Sequence, residues 1–306
     1  MIKIAILHEG KAYMPEIDAY ASYLNDSGEF IVDVVSKSNQ ITDEYDIVWK
    51  VMGLDRNRSE KQALIHEYNT ITVGKNAKVK DFLKKLLNTK PDGRIFQNKK
   101  VHQVFNFKDN QPFIYRDMGI SKQYFIQGDV KKEYDFVYIG TMDPSRELNK
   151  MLEMFKKNSD LSIILIGTPD PGLEKEFGNL PNVHFVGRVP YEELPLTAAK
   201  ARFGMNYIPD VFPFNKQTST KLLEYCALNL NVVTTSYEWV NNFESVNNGK
   251  FFKLNSDLSN LTREELEAFN FVTPDLSHLE WNNLLKEAEL IPFIKAVLEN
   301  HKRKQK

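Results

Sequence analysis

Twice along its 306 residues the chain runs through the same alternation of short, continuously apolar stretches and helix-period segments. The first series holds "IKIAIL", "FIVDVVS", "YDIVWKVMG", "ALIHEY" and "GRIFQN", and closes with "PFIYRDMGISKQYF". "AYASYLND" and "VKDFLKKLLNTKPDG" have helical spacing between them, while "VHQVFNF" suits a helix or a strand. The pattern restarts near Lys131 with "YDFVYIGTM", "LSIILIGTPD", "VHFVGRVP", "FGMNYIP" and "NVVTT". Its helical segments are "SRELNKMLEMFKKN", "LEKEFG" and "YEELPLTAAKA". Strands that are apolar without alternation are buried on both faces, and strands alternating with helices imply a parallel sheet covered on both sides. Two such series, in a chain near the size at which single cores stop growing, predict two α/β domains. The expected boundary falls within 122–134.

Three strands of the second series end in glycine, at Gly140, Gly167 and Gly187. Ligands of open α/β sheets sit beyond the carboxyl ends of the strands, where a glycine allows close approach to the backbone. The alternative is that each glycine only ends its strand. A second pointer is "FNKQTSTKLLEYCALNLNVVTTSYEW", Phe214 to Trp239. Thr218, Ser219 and Thr220 suit a helix N-cap, and Leu222, Leu223, Cys226, Ala227 and Leu230 keep helical spacing. A helix N-terminus with Lys216 and Lys221 beside it is a site for an anion, and a diphosphate fits it. Glu224 lies about one turn further in, where a carboxylate either accepts ribose hydroxyls or merely complements the helix dipole.

The stretch "TSTKLLEYCALNLNVVTT" resembles the signature of GT-B glycosyltransferases, in particular the large retaining family 4. "FVYIGTMDPSRELNKML", "SIILIG", "NVHFVGRVPYEEL" and "PFIYRDMGISKQYF" are similar, in order and spacing, to further segments of that family. "LEWNNLLKEAELIPFIKAVLEN" resembles its C-terminal helix, which follows a Trp and packs back towards the N-domain. The resemblance implies α/β GT-B architecture, two Rossmann-like domains facing each other across a cleft. An acceptor domain would cover 1–125, a nucleotide-sugar domain 126–285, and the returning helix with its basic tail 286–306. It implies transfer of a sugar from a nucleotide diphosphate sugar to a saccharide or lipid-linked saccharide, with retention and without a metal or other cofactor. The family setting is bacterial surface polysaccharide synthesis, in the cytoplasm or on the inner face of the membrane.

Carried over by motif, Glu224 would hold the ribose, Thr218, Ser219 and Thr220 the phosphates, and Gly187, Arg188 and Val189 would lie beside the base. Arg146 stands where the family has a phosphate-binding Lys, so Arg146 and Lys221 would assist departure of the diphosphate. Two positions depart from the pattern. Thr141 replaces a loop arginine, and Lys216 occupies the place of a sugar-contacting Glu. In the first series, retaining members place a His at a strand end facing the donor sugar, and "ALIHEYNT" offers His66 with Glu67 beside it. The alternative for His66 is a structural role. "LHEGKAYMPEI" supplies His8, Glu9 and Gly10 on the acceptor side, with Glu9 or Glu67 as candidate bases should the enzyme invert.

Composition excludes less than these motifs suggest. Forty Lys and Arg against 41 Asp and Glu give a net charge of −1, which does not mark a nucleic-acid binder. A single cysteine, Cys226, forms no internal disulfide and fits a small core residue in a reducing compartment. No His, Cys, Asp and Glu spacing suits a structural zinc site, and no Walker A motif or signal-peptide pattern is present. Residues 75–100 concentrate Lys75, Lys78, Lys80, Lys84, Lys85, Lys90, Arg94, Lys99 and Lys100 against Asp81 and Asp92. Phe82, Leu83, Leu86 and Leu87 form an apolar stripe among them. Either the stripe packs into the core under a solvated basic face, or the helix lies on an anionic membrane surface. Two rival functions remain: a nucleotide-sugar epimerase on the same architecture, and a catalytically weak nucleotide-sugar-binding partner of a transferase.

Overall fold

The computed structural model describes residues 1–10, 14–51, 55–70, 77–210 and 214–306, with backbone alone for Ala77, Lys78 and Lys216. It divides into two compact units. Met1–Ser121 and Leu279–Lys306 form the first, and Lys122–His278 the second.

The first unit is built on a parallel six-stranded sheet of order β2-β1-β3-β4-β5-β6. The strands are β1 (Ile2–Leu7), β2 (Phe30–Val35), β3 (Ile47–Val51), β4 (Ala63–Tyr68), β5 (Gly93–Phe96) and β6 (Phe113–Tyr115). Helix α1 (Pro15–Asp26) starts where Pro15 and the acids Glu16 and Asp18 favour a first turn, and Gly28 beyond its end has φ +71°. Helices α2 (Ala77–Leu87) and α3 (Lys99–Phe105) follow β4 and β5. "VHQVFNF" is therefore helical over most of its length. Asn98 caps α3 by accepting from the Val101 N–H. The C-terminal helices α10 (Trp281–Glu287) and α11 (Leu290–Gln305) return to this unit. They cover the sheet face that carries Ile4, Ile6, Ile47, Trp49, Ile65 and Ile95. Two glycines make the return possible. A Cβ on Gly93 would lie 2.3 Å from Val297, and one on Gly119 would lie 2.4 Å from the Trp281 ring.

The second unit repeats the design, with parallel order β12-β11-β10-β7-β8-β9. Its strands are β7 (Tyr134–Ile139), β8 (Ile163–Ile166), β9 (Val183–Gly187), β10 (Ala201–Asn206), β11 (Asn231–Thr235) and β12 (Phe252–Leu254). Between them run α4 (Leu148–Lys157), α5 (Pro171–Phe177), α6 (Leu194–Ala199), α7 (Thr220–Ala227) and α8 (Glu238–Val246), with α9 (Arg263–Ala268) after β12. Phe136, Met151, Leu152, Phe155, Leu165, Phe203 and Val233 fill its core. Strand β12 and helices α8 and α9 have no counterpart among the sequence expectations. Among the described residues, no helix is long and apolar enough to cross a membrane.

Candidate functional site

At the carboxyl ends of β7 and β10 the second unit carries a cavity of about 270 Å³. Gly140 and Thr141 after β7, Arg146, Asn206 and Tyr207 at the end of β10, and Thr218 to Lys221 at the start of α7 contribute to its wall. Gly140 lines it with φ +155°, and Gly167, just past the end of β8, packs against Gly140. A Cβ on Gly167 would stand 2.1 Å from the Gly140 carbonyl oxygen. Only Gly140 of the three strand-end glycines lines the cavity. Gly167 serves backbone packing, while Gly187, with φ +76°, has open space around it.

The N-terminus of α7 is held by a polar hub that the sequence did not announce. Asn206 is buried and donates from Nδ2 to Thr234 Oγ1 and to the Tyr237 hydroxyl, both at 2.9 Å. Its Oδ1 accepts from Ser219 Oγ at 2.7 Å. Ser219 Oγ in turn accepts from the Leu222 N–H at 3.3 Å, as an N-cap does. Ser219 is therefore committed to capping, and Thr218, Thr220 and Lys221 stand beside it on the cavity wall. Burial pushes the Tyr237 phenol up to about 12, so it remains neutral. Tyr225 on α7 accepts from the Ile139 N–H at 3.0 Å, joining the helix to the end of β7.

Two cations face this region. The Arg146 guanidinium lies 4.6 Å from the centroid of the Phe214 ring, a cation–π contact that sets its position on the wall. Lys221 Nζ lies 2.7 Å from Glu224 Oε2, one turn along α7. Glu224 is buried and outside the cavity lining, against the buried phenol of Tyr124. Burial first, and the Glu224 carboxylate second, raise the Tyr124 hydroxyl far above the usual phenol range. Among the described residues that hydroxyl has no partner at full hydrogen-bonding distance, and Glu224 is the acid beside it. The wall thus offers an anion two cations, two hydroxyls and the first N–H groups of a helix, with a carboxylate one turn away.

Other expected residues lie elsewhere. Arg188 is exposed just past the end of the edge strand β9, donating from Nε to Thr168 Oγ1 at 2.7 Å, and neither Gly187, Arg188 nor Val189 lines the cavity. The Lys216 side chain lies outside the described residues. In the first unit His66 is not at a strand end. It is the fourth residue of β4, fully buried, with Nε2 3.2 Å from Asp55 Oδ2. Burial, only partly opposed by Asp55, lowers its pKa and keeps the imidazole neutral. Buried and bonded to Asp55, His66 sits in the arrangement that the structural alternative describes. Glu67 is likewise fully buried, and it accepts from three donors. These are Tyr20 Oη and Trp49 Nε1, both at 2.8 Å, and the Arg116 guanidinium. His8 lies half-buried after β1, and Glu9 and Gly10 are exposed, with Lys11 to Tyr13 outside the described residues.

Sequence reasoning missed Glu16. This carboxyl is buried 3.6 Å from Arg116, accepts from Asn69 Nδ2 at 3.0 Å, and is raised by burial above its ordinary value. Its only sequence signal, an acid after a helix-starting proline, reads as a helix N-terminus. Among the described residues, no three His, Cys, Asp or Glu side chains are grouped to hold a metal ion.

No family model matches the chain, and no curated protein matches it. Solved structures do. The glycosyltransferase AviGT4, involved in avilamycin A biosynthesis, is 13% identical with a TM-score of 0.59, over 99% of this chain and 98% of that one. Alr3699/HepE of Anabaena, in complex with UDP and glucose, is 12% identical with a TM-score of 0.59, over 100% and 98%. Sucrose-phosphate synthase of Thermosynechococcus elongatus is 11% identical with a TM-score of 0.57, over 99% and 94%. At such identities the likeness concerns the fold, and it extends over whole chains. The chain has the α/β GT-B fold of these glycosyltransferases.

Proposed function

We propose that the chain is a glycosyltransferase that moves a sugar from a nucleotide diphosphate sugar to a saccharide or lipid-linked saccharide. The observation that carries this reading is the cavity at the start of α7, where Arg146, Lys221 and a helix N-terminus converge. The likeness to a protein solved with UDP and glucose supports it.

In this reading Thr218, Thr220 and the open N–H groups of α7 hold the diphosphate, and Glu224 takes the ribose hydroxyls. The acceptor hydroxyl attacks the anomeric carbon as its bond to the diphosphate oxygen breaks. Arg146 and Lys221 stabilise the charge that develops on the departing diphosphate. The acceptor proton passes to that leaving group in a retaining course. The first unit supplies the acceptor side, with His8 and Glu9 as exposed or half-exposed candidates.

A thermal-shift screen of nucleotide diphosphates and their sugars tests the donor site, because a ligand of the native state raises the unfolding temperature by mass action. Stabilisation that Arg146→Ala and Glu224→Ala abolish supports the reading; none with any nucleotide sugar sinks it. Retention is read from the anomeric configuration of the product by NMR, and independence from metal by activity in excess EDTA.

One observation favours a second reading, a nucleotide-sugar-binding partner without turnover. His66 and Glu67 are both buried and hydrogen-bonded, leaving two expected reactive groups out of reach. Binding without transfer to any acceptor would select it.

A further inference from the structure

Helix α2 presents the opposite face to solvent from the one its pattern suggests. Val79, Phe82, Leu83, Leu86 and Leu87 follow the i, i+3, i+4, i+7, i+8 spacing of a face made for burial. All five are exposed, Phe82 to 61% and Leu86 to 67%, while Asp81 on the opposite face is 5% exposed. Specific polar bonds hold this orientation. Lys85 Nζ donates to the Asn106 carbonyl at 2.7 Å at the end of α3. Past the end of α2, Asn88 Oδ1 accepts from the Asp55 N–H at 2.9 Å, and the Thr89 N–H donates to the Asp55 carbonyl at 2.8 Å. Val104 of α3, the helix that packs beside α2, is exposed as well.

The exposed charge of α2, its following loop and the start of α3 is positive. Lys80, Lys90, Lys99 and Lys100 are exposed, whereas the two acids of the segment, Asp81 and Asp92, are buried. Lys304 Nζ reaches Asp92 Oδ1 at 2.8 Å, which brings the basic end of α11, with exposed Lys302 and Arg303, to the stretch that joins α2 to β5. An apolar stripe flanked by cations of one sign is the pattern of a helix that lies in a lipid headgroup layer. A second copy seated on the same face would oppose lysine to lysine, while an anionic leaflet complements them.

We propose that α2 docks the first unit on an anionic membrane surface, with Phe82 and Leu86 entering the acyl boundary and Lys80, Lys90, Lys99 and Lys100 meeting headgroups. This goes beyond the donor-site reading and does not depend on it. The test is co-sedimentation of the full chain with vesicles of phosphatidylcholine alone or mixed with phosphatidylglycerol. Binding is expected to the mixed vesicles, to weaken with salt, and to fall at least about tenfold in the double variant Phe82→Asp, Leu86→Asp. That variant should keep its unfolding temperature, since the side chains it changes already face water. Three results would overturn the proposal: no binding of the unaltered chain to mixed vesicles, a marked fall in unfolding temperature of the variant, or a dimer in sedimentation velocity that the variant dissolves. The first indicates an unpartnered face, the second a stripe buried within the fold, and the third a second copy as occupant. Nucleotide-induced thermal shift, measured in parallel, reports on the donor site separately.

Discussion

Lys221 and Glu224 are joined by a 2.7 Å ion pair across one turn of α7, and only the lysine lines the cavity. An arriving diphosphate would compete with Glu224 for that ammonium. Lys221→Met should therefore weaken binding of a nucleoside diphosphate, and Arg146→Ala likewise. Each loses a charge-assisted contact on the order of 1.5–3 kcal/mol, roughly ten- to a hundredfold in Kd. Isothermal titration calorimetry decides the matter, and unchanged affinity in both variants would remove the diphosphate from this wall.

Asn206 supports α7 without reaching a ligand itself through Oδ1, which Ser219 occupies. Asn206→Leu would strand Ser219, Thr234 and Tyr237, costing on the order of 1–3 kcal/mol for the buried groups left unpaired. Ser219→Ala should cost about 1 kcal/mol as the loss of an N-cap. Denaturant unfolding should show the larger loss in the asparagine variant; the reverse order would mean that the hub is not what holds the helix end.

Gly167→Ala tests whether the glycine behind the cavity matters through packing. Its Cβ would stand 2.1 Å from the Gly140 carbonyl, and its φ of +144° disfavours any side chain. A loss of about 1–3 kcal/mol is expected from overpacking, together with weaker nucleotide binding as Gly140 shifts. A variant with full stability and full affinity would show that the two strand ends part without consequence.

Asp92 makes stability depend on acid. Its carboxylate accepts from the Leu64 N–H, Arg58 and Lys304, and these bonds hold its pKa below the ordinary 3.8 despite burial. A carboxyl lowered on folding stabilises fully above its unfolded value and loses that contribution as pH falls through the folded one. Unfolding free energy should therefore drop as pH is taken below about 3.8, and Asp92→Asn should flatten that part of the profile. An identical acid limb in both proteins would assign the pH dependence to other carboxyls.

Much of the fold could be read from runs such as "IKIAIL" and "SIILIG", because a strand buried on both faces has no polar alternation to confuse it. The start of α7 was legible for a similar reason: caps, cations and apolar spacing are local. Asn206 was not, since its partners Ser219, Thr234 and Tyr237 lie 13, 28 and 31 residues away, and nothing nearby marks its side chain as a hub. His66 and Glu67 were ambiguous for a different reason. A polar residue in an apolar strand reads equally as a site group or a satisfied core group, and the buried partners Asp55 and Arg116 are not adjacent in sequence. The stripe of α2 was visible, but a pattern of period 3.6 gives a face without saying which side the rest of the molecule occupies.

The return of Leu279–Lys306 to the first unit also orders events during synthesis. Trp49, Ile65 and Ile95 share their core with Trp281, Ile294 and Val297, so the sheet made first is finished last. The second unit is contiguous, and it can close while the chain is still emerging. Until α11 has left the ribosome, the older unit holds an uncovered apolar face. For that interval it is the younger half of the protein that is folded, and the older half that depends on a chaperone or on speed.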